Sequence, residues 1–269
     1  MYERRSGGGG LAIRLVIALA IAGFSTCTYL SQRTVNPVTG QKQSVAISPK
    51  EEIALGLQSA PEMERQFGGE DPDQRAQGIV EGVGQRVVSR SDAARSEYRY
   101  DFHLLADGRT VNAFALPGGQ IFITRALYDK LGTEDMLAGV LGHEIGHVVG
   151  RHSAAQMAKQ RLTQGLAGAA GVATTDPNNP SSYKNAAIAQ AVSGLVSLKY
   201  GRDDENQADA LGVKYMAQAG FDPNALVKVM DVLERVSGGR GGPEWTQSHP
   251  NPGNRREHIK AEIAKLGRR

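Results

Sequence analysis

Apolar positions along the chain change their spacing several times, and each change predicts an element. Leu15 to Phe24 is an uninterrupted apolar run of ten residues. Thr28 to Ser44 then reads as a polar tether. Ser48-Pro49-Lys50-Glu51 has the form of a capping box with proline at the first helical position, and Gly68-Gly69 stops the helix it opens. Asp73 caps a second helix, on which Ile79, Val80, Val83 and Val87 share one face. Tyr98 to Leu104 alternates with period two, Thr110 to Leu116 and Gln120 to Thr124 follow across glycine turns, and the three together predict a small antiparallel sheet. Thr133-Glu-Asp starts a helix that is apolar nearly all round, through Leu137, Val140, Leu141, Ile145, Val148 and Val149. Beyond it, Leu162 to Thr175 and Ala186 to Leu198 are rich in glycine and alanine and read as a tight helical hairpin. Three helices complete the chain: one carrying Glu205 and Asp209 and ending at Gly220, an amphipathic one after Phe221-Asp-Pro223, and a basic one from about Asn254. A glycine-rich loop, Ser237 to Pro243, separates the last two. The pattern is that of an α+β, mostly helical domain from about residue 47 to 269, after a tether at 27–46.

Composition adds two constraints. A chain of 269 residues with 22% charged and 40% hydrophobic positions can bury a full core. Its net charge is +3, but residues 1–26 hold Arg4, Arg5 and Arg14 against Glu3, a net of +2, leaving +1 for the rest. No basic stripe interleaved with aromatics appears, which argues against nucleic acid as a partner. Basic start, glycine joint and ten-residue apolar run suit a signal peptide over residues 1–26, the run being too short to span a bilayer. Cys27, the only cysteine, follows directly and cannot form an intramolecular disulfide. Its position resembles a bacterial lipobox, with Phe24-Ser-Thr-Cys27 a degenerate version, so a lipid anchor to a membrane is expected there; the bland alternative is an ordinary cleaved signal or an uncleaved anchor.

The chemistry gathers on the apolar helix. His143-Glu144-Ile-Gly-His147 places two imidazoles one turn apart on a face, with a glutamate beside them. Read as core histidines, these three polar groups would need partners, since each one left unsatisfied costs roughly 1–3 kcal/mol. One metal ion with an activated water settles all three. A catalytic zinc takes three protein ligands and keeps one position open. Candidates for the third are His152, Glu205, Asp209, His249 and His258. His152 lies five residues past His147, about 140° further round a continuous helix, and is expected to point away as a supporting or surface group. Glu205 and Asp209 stack at one-turn spacing, so one can bind metal while the other fixes an imidazole tautomer. His103 is expected to be structural or exposed.

With Glu205-x-x-x-Asp209 downstream of His143-Glu-x-x-His147, the chain resembles the gluzincin peptidases of the CAAX prenyl protease and the bacterial heat-shock protease HtpX, and in layout their periplasmic, lipoprotein-type members. Asn36-Pro-Val-Thr-Gly40, Asn112-Ala-Phe-Ala-Leu-Pro-Gly-Gly119, and His249-Pro250 with Arg255 carry the resemblance across nearly the whole mature chain. One departure is Asn206-Gln207, where relatives often have Tyr-Glu; neither position is given a role.

The resemblance implies a zincin-like domain holding one Zn²⁺ through His143, His147 and Glu205, with Glu144 as general base and Asp209 orienting a histidine. It further implies an exported endopeptidase of the bacterial periplasm acting on unfolded or damaged envelope proteins. Asn112, Ala113 and Phe114 would offer an extended substrate a strand edge. Arg255 would bind substrate carbonyls or anchor its loop by a salt bridge. His249 could donate to an oxyanion, approach the zinc as a blocking fourth ligand, or simply pack its loop. A blocked site would suit the rival reading, a chaperone-like assembly factor that seldom cuts.

Overall fold

The computed structural model describes residues 8–174, 200–237, 245, 249 and 254–267, and these fall into two units. The smaller begins with helix α1 (Gly8–Ser31) and an antiparallel hairpin of β1 (Arg33–Val35) and β2 (Lys42–Ser44). The ten-residue apolar run proves to be part of a longer stretch. Leu11–Ser31, at 21 residues, is long and apolar enough to cross a membrane by length and composition, a test that signal sequences near an N-terminus also pass. Serine, threonine and glycine at its end interrupt the run in sequence but do not break the helix. Cys27 is exposed on α1.

In the larger unit, α2 (Pro49–Gln66) starts at the Ser48–Glu51 capping box, and α3 (Gln74–Ser89) at Asp73, whose carboxylate accepts from the Arg75 and Ala76 amides. Strands β3 (Asp101–Leu105), β4 (Ala113–Ala115) and β5 (Gln120–Thr124) form one sheet in the order β3-β5-β4. The expectation of an all-antiparallel sheet is corrected. β4 folds back antiparallel onto β5, pairing Phe114 with Phe122, and β5 then runs parallel to β3, pairing Asp101 with Gln120. β5 is therefore central and wholly buried, in keeping with its continuous apolar run.

The two sheet edges differ. Along β3, side-chain amides of α3 take the outward backbone groups: Gln77 donates to the Phe102 carbonyl (2.8 Å) and accepts from the Leu104 amide (2.7 Å), and Gln85 donates to the Tyr100 carbonyl (2.8 Å). Along β4, Asn112 and Leu116 are joined to Thr124 and Gln120 by ladder bonds. By antiparallel alternation, the backbone groups of Ala113 and Ala115 point away from β5. Among the described residues no backbone group pairs with them.

The short α4 (Arg125–Tyr128) leads to α5 (Glu134–Gly150), which is capped by Thr133 and buried continuously from Met136 to Gly150. It ends at Arg151, whose φ of 58° makes it the one non-glycine residue with left-handed backbone among those described. Next come α6 (His152–Thr174), α7 (Arg202–Ala219), α8 (Asn224–Ser237) and α9 (Arg255–Leu266). From Ala154 onward α6 belongs to the smaller unit, where a side chain at Gly165 would strike Ser25. The expected partner helix at 186–198 and the glycine-rich loop lie outside the described residues.

α7 approaches α5 over small residues. A Cβ on Gly146 would stand 2.9 Å from the Ala208 carbonyl oxygen, and one on Gly212 would stand 3.1 Å from the His143 amide. Gly146→Ala is therefore expected to cost about 1–3 kcal/mol through overpacking against backbone that cannot yield. Gly78→Ala, where a Cβ meets nothing within 4 Å, should be neutral or stabilise by up to about 1 kcal/mol. Urea melts of the two variants test this; equal stabilities would show that the helices can separate freely.

Candidate metal and catalytic site

Close packing of α5 on α7 brings two one-turn pairs face to face. His143 and His147 project from α5, Glu205 and Asp209 from α7, and His249 enters from the loop before α9; all are buried. His143 Nε2 lies 3.0 Å from His147 Nε2 and 3.3 Å from His249 Nδ1. Glu205 Oε1 is 3.5 Å from His147 Nε2 and 3.0 Å from His249 Nδ1, and Oε2 is 3.6 Å from His143 Nε2. One donor atom from each of the four lies within 4.8 Å of all the others.

Their chemistry fits a cation. His143 Nδ1 stands 2.9 Å from Asp209 Oδ1. A carboxylate can only accept, so that nitrogen carries the proton and Nε2 presents its lone pair to the cluster. Lone pairs and carboxylate oxygens aimed at one point repel unless positive charge lies among them. Spacings of 3.0–3.6 Å are of the order that ligands about 2.0–2.2 Å from a tetrahedral ion adopt. Glu144 is fully buried, and neither of its oxygens has a hydrogen-bond partner among the described groups. His249 Nε2 lies 3.6 Å from its Oε1. A buried carboxylate that accepts no hydrogen bond beside a cation site has the chemistry of a proton acceptor.

Neighbouring groups hold these side chains in place. Arg255 is fully buried. It grips Asp209 through Nε (2.8 Å) and Nη2 (2.6 Å), and its Nη1 lies 2.8 Å from Glu205 Oε2. Burial alone would raise the pKa of Asp209, but Arg255 and the bond to His143 outweigh it and hold the carboxyl well below its usual range. Burial of Glu205 is likewise outweighed by His249, His143 and Arg255. Burial, and then the other imidazoles, depress His147. For His249, burial is overcome by Glu205 and Glu144, and its pKa rises. Tyr200 stacks on His147 with centroids 4.0 Å apart, and Trp245 stacks on His249 at 4.7 Å.

Not every candidate joins the cluster. His258 bonds the Asn206 carbonyl instead (3.0 Å). His103 is half-buried, stacked on Phe122 and bonded to Gln120 (3.0 Å). Arg255 directs its donors at Asp209 and Glu205 within the core. Asn112 is buried on the β4 side, with Ala113 and Phe114 following it on the strand. His152 does not point away, as helical extrapolation predicts. The chain breaks at Arg151, and His152 folds back so that its Nδ1 is 2.9 Å from His147 Nδ1. Tyr200 and Trp245 were unmarked in sequence, and Gln207 stood out only as a departure from the family pattern with no role assigned. Only their nearness to the motif residues in space reveals them, apart from the weak hint of a single tryptophan in a glycine-rich segment.

A 29% identical relative, the beta-barrel assembly-enhancing protease of Yersinia pestis, aligns over 87% of this chain and 48% of its own length. Mitochondrial metalloendopeptidase OMA1 of Schizosaccharomyces pombe is 32% identical over 67% of this chain and 51% of its own. Metalloprotease YcaL of Escherichia coli (strain K12) is 28% identical over 61% of this chain and 62% of its own. The chain thus spans about half the length of the first two relatives. The model of peptidase family M48 matches residues 74–263, which takes in both one-turn pairs, the histidine loop and the anchoring arginine, and the chain belongs to that family.

Proposed function

We propose that the chain is a zinc-dependent endopeptidase of the bacterial cell envelope that cuts unfolded or damaged proteins. The convergence of His143, His147 and Glu205 beside a Glu144 that accepts no hydrogen bond carries the reading. Those three residues would hold the ion. Zinc supplies a Lewis acid and lowers the pKa of nearby water towards about 7. Glu144 takes the proton of the attacking water and returns it to the leaving amine. Asp209 keeps His143 in the tautomer that faces the site. Residues 112–114 receive the substrate as an added strand, the outward groups of Ala113 giving affinity without much sequence choice. The names of the bacterial relatives support an envelope setting with β-barrel assembly as its context. Export through residues 1–26 and lipidation at Cys27 would place the protein on a membrane; mass spectrometry of the mature N-terminus tests this, and an unmodified Cys27 removes the lipid. For the activity, casein cleavage should vanish on chelation and return with zinc. Cleavage that survives chelation sinks the proposal.

A second reading, a gated factor with low peptidase activity, is favoured by one observation: His249 already lies inside the ligand cluster, 3.0 Å from Glu205 Oε1. His249→Ala is expected to raise casein cleavage several-fold if the imidazole blocks the site. A fall of ten-fold or more would make it an oxyanion donor instead.

A further inference from the structure

We infer that His152 and Gln207 form a relay that positions His147, made possible by the left-handed turn at Arg151. The inference rests on the metal-site reading above and concerns residues with no role in it so far.

The hydrogen-bond directions follow from one end. Gln207 presents its amide oxygen 2.7 Å from His152 Nε2, and an amide oxygen only accepts, so that nitrogen carries a proton. Its other ring nitrogen, Nδ1, faces His147 Nδ1 at 2.9 Å, and with His147 Nε2 turned to the ligand cluster the proton between them belongs to His147. His147 must donate there, which leaves its Nε2 lone pair towards the cluster. The two histidines of α5 are thus oriented differently, His143 by a carboxylate and His147 by a second imidazole backed by an amide.

Two features show that this geometry is built. Arg151 takes a conformation that costs a β-carbon residue roughly 1–2 kcal/mol, which persists only when surroundings over-determine it. Here they do. Buried Glu52 accepts from Arg151 Nε at 2.9 Å, the Ile47 carbonyl accepts from Nη2 at 2.7 Å, and Tyr98 holds the same Glu52 oxygen at 2.6 Å. Second, the returning ring lies directly over Gly150: a Cβ there would come within 2.4 Å of His152 Nε2. An uninterrupted helix, or alanine at 150, would leave no place for the imidazole.

The test separates shape from hydrogen bonding and is read on the full chain by cobalt(II) binding. Wild type should take up one Co²⁺ with a visible ligand-field band. His152→Phe keeps a ring but loses the acceptor, and is expected to shift that band and weaken Co²⁺ binding 10–100-fold. His152→Asn keeps an acceptor near the Nδ1 position and should recover most of the affinity. Gln207→Leu and Gly150→Ala should resemble His152→Phe, and Gln207→Glu should bind at least as tightly as wild type. Unchanged spectrum and affinity in His152→Phe, with circular dichroism of wild-type shape, overturn the relay and leave the metal site standing. Loss in Asn and Phe variants alike makes the residue a packing group and also overturns it. A wild-type chain that takes up no cobalt overturns the metal reading itself, and the relay with it.

Discussion

Glu144→Gln is expected to lose about 10²–10⁴-fold in casein cleavage while still binding zinc and folding normally. The size is that of a positioned general base, or roughly 3–5 kcal/mol of transition-state stabilisation. The substitution isolates chemistry from structure because of where the side chain sits. Glu144 is fully buried, and no hydrogen bond to either oxygen is lost when it becomes an amide. Glutamine has the same volume, so the packing of α5 is undisturbed. Removing a buried carboxylate that accepts no hydrogen bond, and whose one ion-pair contact is His249 at 3.6 Å, should leave the melting temperature close to that of wild type. Zinc content by mass spectrometry and cleavage rate are the paired readouts. A variant that cuts as fast as wild type would take the proton-transfer role away from Glu144.

Arg255→Met should destabilise the metal-free protein by about 3–5 kcal/mol, the usual result of removing one partner from a buried ion network. For a chain of this size that is a fall of roughly 6–20 °C in Tm. Arg255 stands between two buried carboxylates, 2.8 Å from an oxygen of each. Methionine fills much of the same space but leaves both negative charges unbalanced. A zinc ion on Glu205 would replace part of the missing charge, so the loss should be smaller in the loaded protein. Lysine should not rescue, because a point charge cannot engage Asp209 through two parallel bonds. Acid titration has a definite sign. Asp209 has a lowered folded pKa, so its contribution is complete above its unfolded value of about 3.9 and is lost as pH falls through the folded one. The gap between wild type and variant should therefore narrow below about pH 4. A variant as stable as wild type at neutral pH, metal-free, would show that the arginine balances nothing.

Much of the site could be read without coordinates. His143 and His147 share a face because four residues make about one helical turn, and the same spacing pairs Glu205 with Asp209. Thr133, Ser48 and Asp73 cap their helices as local chemistry predicts. In each case the interaction is closed within a turn or two, so nearby sequence suffices to specify it. The antiparallel expectation for the sheet failed for the complementary reason. Whether β4 lies beside β3 or beyond β5 depends on which edges α3 covers, and Gln77 and Gln85 reach β3 from a separate helix.

Sequence by itself determined the two pairs of candidate ligands, the capped helices that carry them, and the burial of the helix that holds the first pair, since periodicity and capping are local. Only the tertiary structure decided that the pairs meet, through glycines at 146 and 212 that let two backbones touch. It also decided that Arg255 faces inward to two carboxylates, and that a left-handed residue at 151 turns His152 back towards His147. Those outcomes depend on which surfaces exclude one another and which buried charges must be matched, and neither condition exists until distant segments are packed together.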